Sequence, residues 1–106
     1  MTNQSPQAPD ELEPARAIRR ALAARGLKAR EVGLIAVWAT GPLARERAEL
    51  AVSMGLGRFA NGVATVFDQR DPFTYCEDAV ARGAATVAVA LTIDATGIVA
   101  RAFGGV

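Results

Sequence analysis

Hydrophobic positions along this chain recur with two different spacings. Leu12, Ala15, Ile18 and Leu22 fall at helical intervals while Arg16, Arg19 and Arg20 take the opposite side, predicting a helix over 11–25. Asp10 and Glu13 form a capping pair, Pro14 suits a first turn, and Gly26-Leu27 has the form of a C-terminal cap with its apolar contact. Gly33 to Ala39 is different: short, uncharged and without alternation, as a central strand covered on both faces reads. Thr40-Gly41-Pro42 then turns into a helix over 42–54 with Leu43, Leu50 and Met54 inward, closed by Gly55 and Gly57. Asn61-Gly62 leads into a second apolar strand, 63–67. Asp71-Pro72 caps and opens a helix over 72–82 that stops at Gly83. Ala85 to Ile93 is a long apolar strand, Asp94 to Gly97 is turn chemistry, and 98–103 returns as its hairpin partner.

The order α-β-α-β-α-β-β predicts an α/β fold: a mixed four-stranded sheet with right-handed crossovers in which only the last strand is antiparallel. Residues 10–106 read as a single domain, and the polar stretch 1–9 as a disordered arm. No internal repeat or low-complexity tract interrupts it.

Composition narrows the partners. Of 106 residues 51% are hydrophobic but only 6% aromatic, so the core must be built from Ala, Val, Leu and Ile. The formal charge is +1, which offers no general field for nucleic acid or an anionic membrane. Arg16, Arg19, Arg20 and Arg25 could form a phosphate-binding face, but the solvated side of an amphipathic helix accounts for them. Lys28 is the sole lysine, an Arg and Ala bias that fits a GC-rich bacterial genome. One cysteine makes no internal disulfide, as in a reducing cytoplasm, and no apolar run approaches a membrane span or a signal peptide.

The chain has no histidine. That excludes Ser–His and Cys–His nucleophile pairs and most zinc sites, and no metal or cofactor is expected. No phosphate-binding loop is present, and Gly55-Leu56-Gly57 follows a helix and reads as its stop. Asp68, Asp71, Glu77 and Asp78 cluster after the second strand, where α/β sites usually lie. A structural reading outweighs a catalytic one: Asp71 as a cap, Glu77 and Asp78 as solvated helix residues. Cys76 shares a helix face with Phe73 and Val80 and has acidic neighbours, which favours a buried structural thiol. Trp38 ends the first strand, as a packing anchor or the plug of a pocket. Trp38, Thr40, Asp71, Phe73, Tyr75 and Cys76 are the ligand-binding candidates. Val63, Val66, Phe67, Phe73 and Val80 are the interface candidates.

Ala21-Leu22-Ala23-Ala24-Arg25-Gly26-Leu27, Glu31-Val32-Gly33-Leu34-Ile35, Ala48-Glu49-Leu50-Ala51 and Met54-Gly55-Leu56 follow one another in a familiar order. With the hairpin Val87 to Phe103, they resemble the C-terminal half of the thiolase-like condensing enzymes, especially ketoacyl synthases of the type III kind. The resemblance is one of pattern over Ala17 to Phe103. Where that family places a catalytic histidine this chain has Trp38, and the turn Gln69 to Thr74 holds no certain equivalent of the family's next catalytic residue. The family's nucleophilic cysteine belongs to an N-terminal half absent here, and Cys76 does not take its place.

Condensation develops an enolate and an oxyanion, each needing donors aimed at it. The resemblance therefore implies a pseudoenzyme: a non-catalytic half-domain acting by protein association, as an accessory in polyketide or fatty-acid assembly. Its partners would be a second copy or another thiolase-like chain, with an acyl carrier protein as a further candidate. That family stacks its two halves face to face, so a lone half should leave an apolar face uncovered. The strand 63–67, at a sheet edge in that family's order, is the other surface expected to pair. Two alternatives stay open: a binder of an acyl or aromatic ligand, and a small enzyme acting on a thioester through Asp71, Tyr75 or Cys76.

Overall fold

A computed structural model describes residues 12–105 of the chain. Its elements run α1 (Glu13–Ala23), β1 (Val32–Ala39), α2 (Ala44–Leu56), β2 (Ala64–Val66), α3 (Pro72–Ala81), β3 (Val87–Asp94) and β4 (Gly97–Gly104), with 3-10 turns at Ala29–Glu31 and Gly57–Gly62. The sheet order is β2-β1-β3-β4. β1 pairs in parallel with both β2 and β3, and β4 closes antiparallel on β3. This is the α/β fold with a mixed four-stranded sheet that the alternation of elements predicts, and the strand after Asn61-Gly62 does lie at an edge.

The local signals act as their chemistry requires. Gly26 takes a positive φ of 67°, and the Leu27 amide reaches back to the Leu22 carbonyl at 2.9 Å. Gly83 (φ 77°) ends α3 likewise, with the Ala84 amide bonded to the Ala79 carbonyl at 2.8 Å. At the hairpin, both the amide and the hydroxyl of Thr96 donate to the Asp94 carboxylate, at 2.9 and 2.5 Å.

Alternation along the strands divides the core between two faces. Ile35 and Val37 of β1, Val87, Val89, Leu91 and Ile93 of β3 and Ala102 of β4 lie under α1 and α2, with Ile18 and Leu22. Leu34, Ala36, Ala88 and Ala90 lie under α3, with Cys76 and Ala79. Each fully buried Ile, Leu or Val contributes on the order of 1.5–3 kcal/mol. Among the described residues, two helices thus cover one face and a single helix the other.

Four expectations are corrected. The residue before α1 is Leu12, 37% exposed rather than inward, while Asp10 and the arm 1–9 lie outside the described residues. The second helix starts at Ala44, because Leu43 adopts a left-handed backbone (φ 57°). Its inward face is Ala48, Ala51, Val52, Gly55 and Leu56; Leu43, Leu50 and Met54 are exposed. Small residues win this face because they let α1 come close: a Cβ on Gly55 would meet Ile18 at 3.3 Å. Gly55 is therefore a crossing point and not a helix stop. The stop is Gly57 (φ 60°), with the Arg19 guanidinium donating to the Met54 carbonyl at 2.5 Å.

Candidate functional site at the carboxyl ends of the strands

The three parallel strands end on one side of the sheet, and most of the chemistry-bearing residues gather there. The Thr40 amide donates to the Ile93 carbonyl at 2.8 Å, tying the end of β1 to β3. Beyond β2 the backbone turns at Asp68 (φ 62°), and the Gln69 amide donates to the Val37 carbonyl at 3.0 Å. That bond draws the loop 67–71 along β1, sets α3 beneath the sheet and brings Arg70 over Trp38. The Arg70 guanidinium lies 5.7 Å from the indole centre, and Arg101 of β4 lies 5.2 Å from the Phe73 ring.

Asp71 is the cap of α3. Its carboxylate accepts from the Thr74 hydroxyl at 2.7 Å and the Thr74 amide at 3.1 Å. The hydroxyl first, then the Thr74 and Phe73 amides, hold its carboxyl below the ordinary carboxylate value. A carboxylate so occupied is a poor proton carrier. Because its folded pKa is depressed, its contribution to stability is present above the unfolded value of 3.8 and lost as the pH falls through the folded one. Asp71→Ala is therefore expected to lower the melting temperature at neutral pH, and Asp71→Ser, which keeps a capping oxygen, to lower it less. Thermal melts at descending pH check this: the gap between wild type and Asp71→Ala should close below the usual carboxylate range.

Cys76 is fully buried against Ala36 and Ala79 in the α3-side core. Burial pushes its thiol up to about 11, only partly offset by a hydrogen bond with the Ala36 backbone. It is a protonated packing group at neutral pH. Tyr75 and Phe73 are half-buried around the same cluster, as are Val66 and Val80. Thr40 is exposed beyond β1. Val63 and Phe67 pack on the other face, and Arg45 covers the Phe67 ring at 3.8 Å. The structure thus brings Trp38, Phe73 and Asp71 to one end of the sheet, where the hydroxyl–carboxylate pair of Thr74 and Asp71 serves as the N-cap of α3. Among the described residues no group of three or more Cys, Asp or Glu side chains could hold a metal ion, and no helix is long and apolar enough to cross a membrane.

Sequence reasoning missed how much of this sheet end stays open. Trp38, Thr92 and Val99 stand in one row across β1, β3 and β4, on the face that carries α3 alone. Trp38 and Thr92 are half-buried, and Val99 is 49% exposed. The one available signal was Val99, an apolar residue on an outer strand facing the side with fewer helices. Three clefts lie elsewhere: about 270 Å³ between α2 and β2, lined by Val52, Ala60 and Phe67; about 350 Å³ between α1 and β4; and about 120 Å³ around Leu43 and Leu50. None of the three is lined by Trp38.

The chain matches no family model, no curated protein and no solved structure.

Proposed function

We propose that this chain is a non-catalytic, thiolase-like half-domain that works by binding another thiolase-like half across the α3 face of its sheet. The observation that carries the reading is the unequal cover of the two faces. α1 and α2 close one side, whereas α3 alone leaves the row Trp38–Thr92–Val99 partly open. In the family the sequence resembles, helices are buried between two stacked sheets, and a second half would cover this row. The setting implied by that resemblance is an accessory role beside polyketide or fatty-acid condensing enzymes in the cytoplasm. The chemistry of the site supports association over catalysis. The thiol is buried and protonated, Asp71 is committed to Thr74, and no imidazole exists in the chain.

Trp38 is the only tryptophan, so its emission reports on this face directly. The chain is to be titrated against itself and against a purified type III ketoacyl synthase. A blue shift and quenching resistance of Trp38 on association is expected in one of the two titrations. Thr92→Arg, which sets a charge in the middle of the open row, should abolish the shift while leaving the melting temperature close to wild type. Emission that stays constant in both titrations overturns the reading.

A further inference from the structure

Leu43, Leu50 and Met54 have the spacing of a core face, yet α2 turns them away from the sheet. Leu43 is the most exposed large apolar side chain among the described residues, at 69%. Its backbone sits in the left-handed region (φ 57°), which glycine enters freely and leucine only at a cost. The chain thus accepts a strained residue before α2 and sets its isobutyl group in water. Neither feature helps a single copy to fold.

The surface around Leu43 is a knob beside a hole. The cleft of about 120 Å³ lies between Leu43, Glu46, Arg47 and Leu50, and its walls are mostly apolar. A hollow of this order accepts a small hydrocarbon group. Glu46 and Arg47 set opposite charges at its rim. Neither takes part in an ion pair among the described residues, whereas Arg45 is paired with Glu49 at 3.7 Å. The four lining positions are symmetric along the chain: Glu46 and Arg47 are adjacent, and Leu43 and Leu50 stand three residues to either side.

We propose that this face of α2 is the contact of a reversible homodimer, in which two α2 helices cross antiparallel about a two-fold axis passing between Glu46 and Arg47. About that axis Leu43 enters the cleft beside Leu50 of the partner subunit, and Glu46 faces Arg47 of the partner subunit. Both contacts repeat with the copies exchanged. Each knob fills the other's hole and each charge meets its opposite, so the patch is complementary to itself. A crossing of two helices buries less than about 1,200 Å² in total, the size of a weak and transient contact. A dissociation constant of about 50–200 μM is therefore expected. The patch and the row Trp38–Thr92–Val99 lie on opposite sides of the sheet, so the inference stands apart from the thiolase-like pairing.

Sedimentation equilibrium of the full chain over about 5–500 μM tests the contact. The wild type is expected to pass from monomer to dimer across that range. Leu43→Gly removes the knob and relieves the left-handed backbone. It should weaken the dimer by about tenfold or more in dissociation constant. Its melting temperature at about 5 μM, where both chains are largely monomeric, should be no lower than that of wild type. Glu46→Arg and Arg47→Glu set like charges against each other and should each weaken the dimer by about tenfold. The double exchange should restore it, and decides the matter should Leu43→Gly lose stability. Thr92→Arg, on the other side of the sheet, should leave the dimer unchanged, which separates this contact from the open-face one. A wild type still monomeric at the highest concentration, a dimer indifferent to Leu43→Gly, a double exchange no tighter than either single variant, or a dimer lost on Thr92→Arg overturns the proposal.

Discussion

Replacing Gly104 by alanine is expected to remove about 3–5 kcal/mol of folding stability, a large part of what a domain of this size possesses. Gly104 ends β4 with φ 92°, and a Cβ there would stand 2.1 Å from the Thr86 carbonyl oxygen and 3.2 Å from Val80. The first obstacle is backbone, held in place by the Gly105 amide, so it cannot swing aside as a side chain would. Gly41 provides the comparison. It too has a positive φ, 101°, but a Cβ there would meet nothing within 4 Å. Gly41→Ala should carry only the backbone strain, about 1–2 kcal/mol. Urea unfolding of both variants at one fixed protein concentration checks the difference. Equal losses would mean that the strand end yields and that the close approach to Thr86 does not constrain it.

Ile18→Ala should be nearly as damaging, at about 2–5 kcal/mol. Ile18 is completely buried where α1 crosses α2, and three of its atoms stand 3.3 Å from where a Gly55 Cβ would be. The pair has a further consequence. Gly55→Ala alone gains helix propensity but crowds Ile18, and a net loss of about 1 kcal/mol is expected. In the Ile18→Ala background the same methyl enters vacated space, so the second substitution should be neutral or stabilising. A double-mutant cycle measured by chemical denaturation reads the coupling. Additive losses would show that the helices are not in contact at this point.

The crossing also shows why one helix face was misread from sequence. Leu43, Leu50 and Met54 have helical spacing and high hydrophobicity, yet they point outward. Ala48, Ala51 and Gly55 are weakly hydrophobic, and their value lies in size, which matters only once Ile18 is opposite them. That partner belongs to another helix and leaves no mark in the local pattern. The strands were legible for the converse reason. Gly33 to Ala39 and Ala85 to Ile93 lack charge over lengths that only a doubly covered strand needs, and Asp71-Pro72 and Asp94 to Gly97 act within four residues of themselves. At the sheet end, the burial of Cys76 followed from the face it shares with Phe73 and Val80. The arginines resting on Trp38 and Phe73 did not, since Arg101 reaches Phe73 only through the pairing of β3 with β4. The spare room beside α3 was equally hidden. It depends on how many helices fall on each face, which is a property of chain crossovers rather than of any residue.

The bond from Arg25 to the Gly104 carbonyl spans 79 residues of chain. It closes a contact in which α1 rests more on β4 than on β3. On the ribosome, Arg25 at the end of α1 is synthesised 79 residues before Gly104, the end of the strand on which the helix chiefly rests. At about 5–20 residues per second, that interval is roughly 4–16 s. Until then Ile18 and Leu22 can pack on α2 and on β1 and β3 as these are made, and the native sheet cannot close until β4 has been synthesised.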